Sequence, residues 1–353
     1  PSKATTSTST AAITNMAVSP SEDTLLVSTS DYQLWTFGLS NTDILKEDGN
    51  NFDLLMSSFH SPGKGGSAQI SGIDTCIWKP LVVTCGLDCS VRVWNYQEKS
   101  LELMKTFEEE CHSIALHPSG LYVVVGFTDK LRLLSILMDD MRVVRDLNIK
   151  SCREVKFSHG GQYFAAVNNT TVHVYNTFTC ELVSTMRGHN GKVRTLFWKQ
   201  GDRLLCTAGM DGAVFVWNVS AGTKESEQLV PRCSFVCGMG TPDLSKGYMC
   251  GADNTIKELE LATMKQKGEI PVDKSMSQLV VSGSNKIIFG GTAQANKPGV
   301  IQVFKVTSQL QGAPQDYNCH SGPVSCMRMS SDNGYLFTGG EDGSLCIFEV
   351  NDV

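Results

Sequence analysis

No run of this sequence approaches the eighteen or so apolar residues that carry a helix across a bilayer, so no membrane-spanning helix is expected. Basic charge is not in excess either. Lys and Arg number 30 against 36 Asp and Glu, a formal net charge of −6, which argues against a general nucleic-acid binder. No cysteine lies in a C-x2-C pair; Cys85/Cys89 and Cys233/Cys237 are separated by three residues, with no histidines at finger spacing, so zinc is not expected. The nucleophile elbow G-x-S-x-G and the metalloprotease motif H-E-x-x-H are missing, and Asp139-Asp140 falls in a hairpin between strands. Gly63-Lys64-Gly65-Gly66-Ser67 has a faint likeness to a phosphate loop. Such a loop needs Gly-Lys directly before Ser or Thr and a helix downstream; here Ser67 is three residues past Lys64 and strands are expected on both sides. No catalytic residue, cofactor or metal ligand is therefore assigned. No signal peptide is read at the start. The chain opens at Pro1, not Met, and is expected to be a piece of something longer.

Cysteine itself is plentiful. The 13 cysteines are an odd count, and most sit inside apolar strand runs (Cys76, Cys206, Cys250, Cys346), as buried reduced thiols of a cytosolic compartment would. Glycine, at 32 residues, supplies tight turns. Both serve the stretch Met186 to Val219, MRGHNGKVRTLFWKQGDRLLCTAGMDGAVFVWNV, which reads as three strands joined by Gly-containing turns. Its polar marks are His189, Thr207, Asp211 and Trp217. In one antiparallel sheet these form a hydrogen-bonded chain, with the buried indole N–H and hydroxyl satisfied by the imidazole and carboxylate. The alternative, a catalytic His/Asp pair, loses to recurrence. His320, Thr338, Asp342 and Phe348 repeat the frame, with 22 positions from histidine to aspartate in both copies, and Thr84, Asp88 and Trp94 repeat it again.

The fold expected is all-β, a WD-repeat β-propeller. The residue in the Trp217 position is, in order, Trp35, Trp94, Leu134, Tyr175, Trp217, Leu259, Phe304 and Phe348, with spacings after the first gap of 40, 41, 42, 42, 45 and 44. Eight sets predict eight blades within one domain spanning 1–353, with seven kept open as the commoner number for such rings. Thr128, Asn169 and Pro298 occupy the aspartate position of three sets, which must then rely on apolar packing. The last set leaves too little chain for an outer strand. Residues 1–10, in particular the Thr-rich Lys3 to Thr10, are therefore expected to pair with Ser344 to Val350 and close the ring.

The block KSLELMKTFEEECHSIALHPSGLYVVVGFTDKLRLL (99–134), followed by CREVKFSHGGQYFAAVN and GHNGKVRTLFW, closely resembles a ciliary and flagellar WD-repeat protein family. The resemblance is most specific over roughly residues 60 to 220. Members are axonemal subunits associated with inner-arm dynein attachment on doublet microtubules, with two propellers before a coiled coil; this chain is similar to the second propeller. No heptad run occurs here, so a coiled coil is expected beyond Val353. What the resemblance implies is a non-catalytic scaffold of the ciliary axoneme. Its partners would be axonemal proteins: inner-arm dynein or its docking factors, with tubulin a further candidate. Any oligomerisation would run through regions outside this chain. The alternative is a WD-repeat adaptor or peptide receptor in another cytosolic complex; an enzyme has no motif to support it.

On a propeller the face near the histidines and aspartate turns gathers loops from every blade. The residue before each structural aspartate points there: Leu87, Met210, Ala252 and Glu341, with Asn190 and Lys192 expected beside Met210. Trp78 and Trp198 share one position on the opposite rim, where packing under a turn is the expected role.

Overall fold

A computed structural model describes residues 12–29, 34–39, 52–56, 60–61, 67–199, 201–241, 243–294, 297–306 and 314–350. Every regular element among them is a strand, and the strands form eight separate antiparallel sheets. Each sheet corresponds to one of the repeat sets read from the sequence. Trp94, Leu134, Tyr175, Trp217, Leu259, Phe304 and Phe348 all sit in the second half of the third strand of their sheet, whereas Trp35 lies near the start of its third strand, Leu34–Gly38.

Seven of the sheets make the ring. The inner strand Ile70–Thr75 adjoins Ser113–Leu116, and the contact passes in turn to Val155–Phe157, Val193–Trp198, Phe235–Gly240, Met276–Val281 and Val324–Met329, which adjoins Ile70–Thr75 again. The eighth sheet, built on Ile13–Val18, is not in this circuit. Its first strand is exposed along its whole length, whereas the ring's inner strands bury half or more of theirs. The expected eight sets are thus present, but the ring they close has seven blades, and sequence periodicity alone counts sheets without saying which of them are neighbours. Pairing of residues 3–10 with 344–350 lies outside the described residues.

The closing junction is built like the others. In three blades a serine near the start of the inner strand donates to a carbonyl of the next blade: Ser71 to Cys111 O, Ser113 to Cys152 O at 2.8 Å, and Ser325 to Ile70 O at 2.5 Å. The last of these spans the junction of the chain's final and first ring blades. Apolar side chains fill the same interface, with Ile70, Ile73 and Val82 against Cys326 and Phe337. Between the next two blades Val83, Val91 and Val93 pack on Val123 and Val125. Because each sheet buries both faces, its strands read as continuous apolar runs and not as alternations. Of the 13 cysteines, ten are buried in these layers and three are half-buried, and all carry free thiols. Among the described residues the final blade has three strands.

Candidate functional site

The tetrad closes as the spacing predicts. Trp217 Nε1 donates to Thr207 Oγ1 at 2.9 Å, Thr207 Oγ1 lies 2.8 Å from His189 Nε2, and His189 Nδ1 lies 3.1 Å from Asp211 Oδ1. A neutral imidazole satisfies the chain, the hydroxyl donating to Nε2 and Nδ1–H donating to the carboxylate. Burial pushes the His189 pKa down despite Asp211. Burial alone would raise Asp211, but the hydrogen bonds from His189 and from the Asn190 N–H, at 2.8 Å, outweigh it and hold the carboxyl below its ordinary range. Both imidazole nitrogens are taken up inside the blade, so His189 is a structural group.

The second copy differs at one place. His320 Nε2 lies 2.8 Å from Thr338 Oγ1 and Nδ1 lies 3.1 Å from Asp342 and 2.8 Å from Ser344 Oγ. Phe348 brings no N–H, which leaves the Thr338 oxygen free to accept from an imidazolium. Burial works against that charge, but the hydrogen bonds to Asp342 and Cys346 outweigh it and carry His320 up to about 9.

The third copy is complete, and its histidine was missed in the sequence. His60 Nε2 lies 2.9 Å from Thr84 Oγ1, His60 Nδ1 lies 2.9 Å from Asp88 Oδ1, and Trp94 Nε1 donates to Thr84 at 2.9 Å. His60 stands 28 positions before Asp88 because the Gly-rich 61–67 segment lengthens the loop. Asp88 also holds the buried Arg92, at 3.3 Å. In the blade of Ala252 the aspartate Asp253 takes Lys257, whose side chain is buried, in place of a histidine. Where Thr128 replaces aspartate, it lies 3.2 Å from His112 Nε2, so this blade keeps one polar contact besides its packing.

The residue after each structural aspartate is left-handed. Gly212 (φ 73°) and Gly343 (φ 76°) accept this freely; Cys89 (φ 62°) and Asn254 (φ 54°) carry it with a side chain. The turns so formed present the expected upper-face residues. Met210 N donates to Lys192 O at 2.9 Å, which sets Lys192 and Asn190 beside Met210. The same bond recurs from Leu87 N to Gln69 O and from Glu341 N to Pro323 O, both at 3.0 Å, and from Ala252 N to Ser234 O at 2.8 Å. Asn190, Lys192, Met210, Ala252 and Glu341 are exposed; Leu87 is half-buried at the mouth of the central channel.

The two rim tryptophans part company. Trp198 is buried and donates to Lys156 O at 3.2 Å, as expected of a packed indole, whereas Trp78 is 76% exposed. Around Trp78 lie other exposed apolar groups, Met138 of the next blade and Phe178 of the one after. Trp78 N donates to Pro118 O at 3.3 Å and the Phe178 ring centroid is 6.2 Å from that of His117, so the three belong to one stretch of the lower rim.

The WD domain, G-beta repeat family matches residues 58–95, 180–218 and 313–349, three of the seven ring blades and the three that carry a full His–Thr–Asp set. Over 338 residues, which are 96% of this chain and 26% of the relative, the sequence is 41% identical to Cilia- and flagella-associated protein 57 of Mus musculus. The chain belongs to a ciliary and flagellar WD-repeat family. Cilia- and flagella-associated protein 57 A of Tetrahymena thermophila is 32% identical over 96% of this chain and 28% of its own length. Echinoderm microtubule-associated protein-like 4 of Homo sapiens is 21% identical over 80% of this chain and 28% of its own length. This ciliary WD-repeat chain thus spans about a quarter of the length of the relatives it matches.

Proposed function

We propose that this chain is a docking ring of the ciliary axoneme that helps hold inner dynein arms on doublet microtubules, without chemistry of its own. The observation that carries the ciliary reading is the 41% identity to Cilia- and flagella-associated protein 57 across 96% of the chain. A docking role is supported by what the ring leaves uncovered. On the upper face Met210 is 40% exposed beside Asn190 and Lys192, Ala252 holds the same turn position in the next blade and Leu87 and Glu341 hold it in the first and last ring blades, and these six are the proposed partner contacts. Exposed thioether and ammonium groups side by side give a partner both an apolar and a charged handle. The lower rim around Trp78 and Met138 is a second uncovered apolar stretch.

The test uses the full-length protein in ciliated cells. Met210→Ser with Lys192→Ser is expected to leave the melting temperature unchanged and to reduce incorporation into isolated axonemes, together with inner-arm subunits, by quantitative mass spectrometry after salt extraction. Unchanged melting with unchanged incorporation sinks the upper-face contacts. Absence of the wild-type protein from axonemes sinks the ciliary reading itself.

A further inference from the structure

The seven inner strands surround a cavity of about 250 Å³ at the ring axis, and its charges are one-sided. Arg153, Lys156, Arg194 and Arg328 line it against the single carboxylate Glu154. The chain carries a net −6, so these cations are gathered at the axis against the sign of the whole molecule. Two of them are engaged. Arg328 Nε lies 3.4 Å from Asp74 Oδ1 and Lys156 Nζ lies 3.5 Å from Glu154 Oε1. The other two are not: Arg153 and Arg194 are exposed, and among the described residues no ion pair holds either.

His112 lines the same cavity and supplies an independent observation. It is 9% exposed, and its Nδ1 has no hydrogen-bond partner. The cause lies in the repeat: Val124 stands four residues before Thr128, where the complete tetrads carry their threonine, so one imidazole nitrogen is left over. A buried polar nitrogen without a partner costs free energy that a ligand atom recovers.

We propose that this mouth binds the carboxylates of an extended acidic peptide segment of a partner, with the Arg153 and Arg194 guanidiniums as ligands and His112 Nδ1–H as a donor deeper in. Guanidinium groups match carboxylates in geometry and charge, and low-dielectric walls strengthen the pairing. The cavity has room for a few side chains, not for a duplex. The proposal does not depend on which complex the chain joins.

A fluorescein-labelled polyglutamate peptide titrated with the intact chain tests it by fluorescence anisotropy. Saturable binding that weakens with salt is expected, and Arg153→Gln and Arg194→Gln are each expected to lose about tenfold in affinity, the scale of one charge-assisted hydrogen bond. Among the described residues no ion pair holds either exposed side chain, so melting temperatures are expected to stay at the wild-type value, and Lys265→Gln, exposed on the outer strand Lys265–Pro271, serves as the neutral control. In the wild type, the His112 imidazole resonances are expected to shift when the peptide binds. No saturable binding, equal affinity in the arginine variants, or equally tight binding of a single-stranded oligonucleotide of the same charge overturns the proposal.

Discussion

The side chain at the aspartate position of the repeat is held to different degrees in three blades of this ring, and that sets the cost of removing it. Asp88 accepts from His60, Ser90 and Arg92 with its side chain 2% exposed. Asp211 accepts from His189 and two backbone N–H groups at 12% exposure. Thr128 has one contact, to His112. Asp88→Ala leaves the buried Arg92 without its carboxylate and is expected to destabilise by about 3–5 kcal/mol, the range for breaking a buried charge pair. Asp211→Ala is expected to cost about 1–3 kcal/mol through unpaired donors. Thr128→Ala should cost less than either. Denaturant unfolding of the three variants checks the order, and equal losses would mean the tetrad frame is misassigned. The marks at Thr84, Asp88, Thr207, Asp211, Thr338 and Asp342 were legible in the sequence because their spacing is fixed by two adjacent strands. His60 was not, because it enters through a loop, and loop length is free to change while the bonded geometry stays.

At the scale of the element, period and composition disclosed each sheet but not its neighbours. Eight sets were countable, and eight sheets are present. Which seven form the ring is decided by packing between inner strands that lie up to 256 residues apart, as Cys326 and Ile70 do. Nothing local records that. The same limit divides Trp78 from Trp198, which share a repeat position yet differ in what the next blade places over them. A deletion follows from the ring count. Removing residues 1–39 takes away three strands that, among the described residues, stand outside the circuit of inner strands, so the melting temperature of the ring is expected to shift by no more than about 2 °C. A fall of several degrees would instead assign the N-terminal segment the ring-closing pairing with Ser344 to Val350 that the sequence proposed.

For the molecule as a whole, the histidines make stability a function of pH. Five of the seven, His60, His112, His117, His173 and His189, are held below the usual 6.5, with burial the leading cause in each. Near that pH the unfolded chain binds protons that the folded chain refuses, so stability falls as the solution is acidified past 6.5. Asp88, Asp211 and Asp253 extend the loss. Burial would raise them, but hydrogen bonds from His60, His189 and Lys257 hold them below 3.8, and their contribution, present above that value, is lost as pH drops through their lowered folded values. His320 acts in the other direction. Its pKa is carried up to about 9, so its contribution is complete below 6.5 and disappears as pH rises through 9. The melting temperature is therefore expected to peak near pH 7, to fall steadily toward pH 5, and to fall more gently between about pH 7 and 9 as His320 loses its proton, levelling off beyond. A thermal-shift series from pH 5 to 10 at constant ionic strength measures it. His320→Gln should flatten the alkaline side and leave the acid side unchanged; a curve flat from pH 7.5 to 5 would mean that these five imidazoles keep their ordinary affinity for protons.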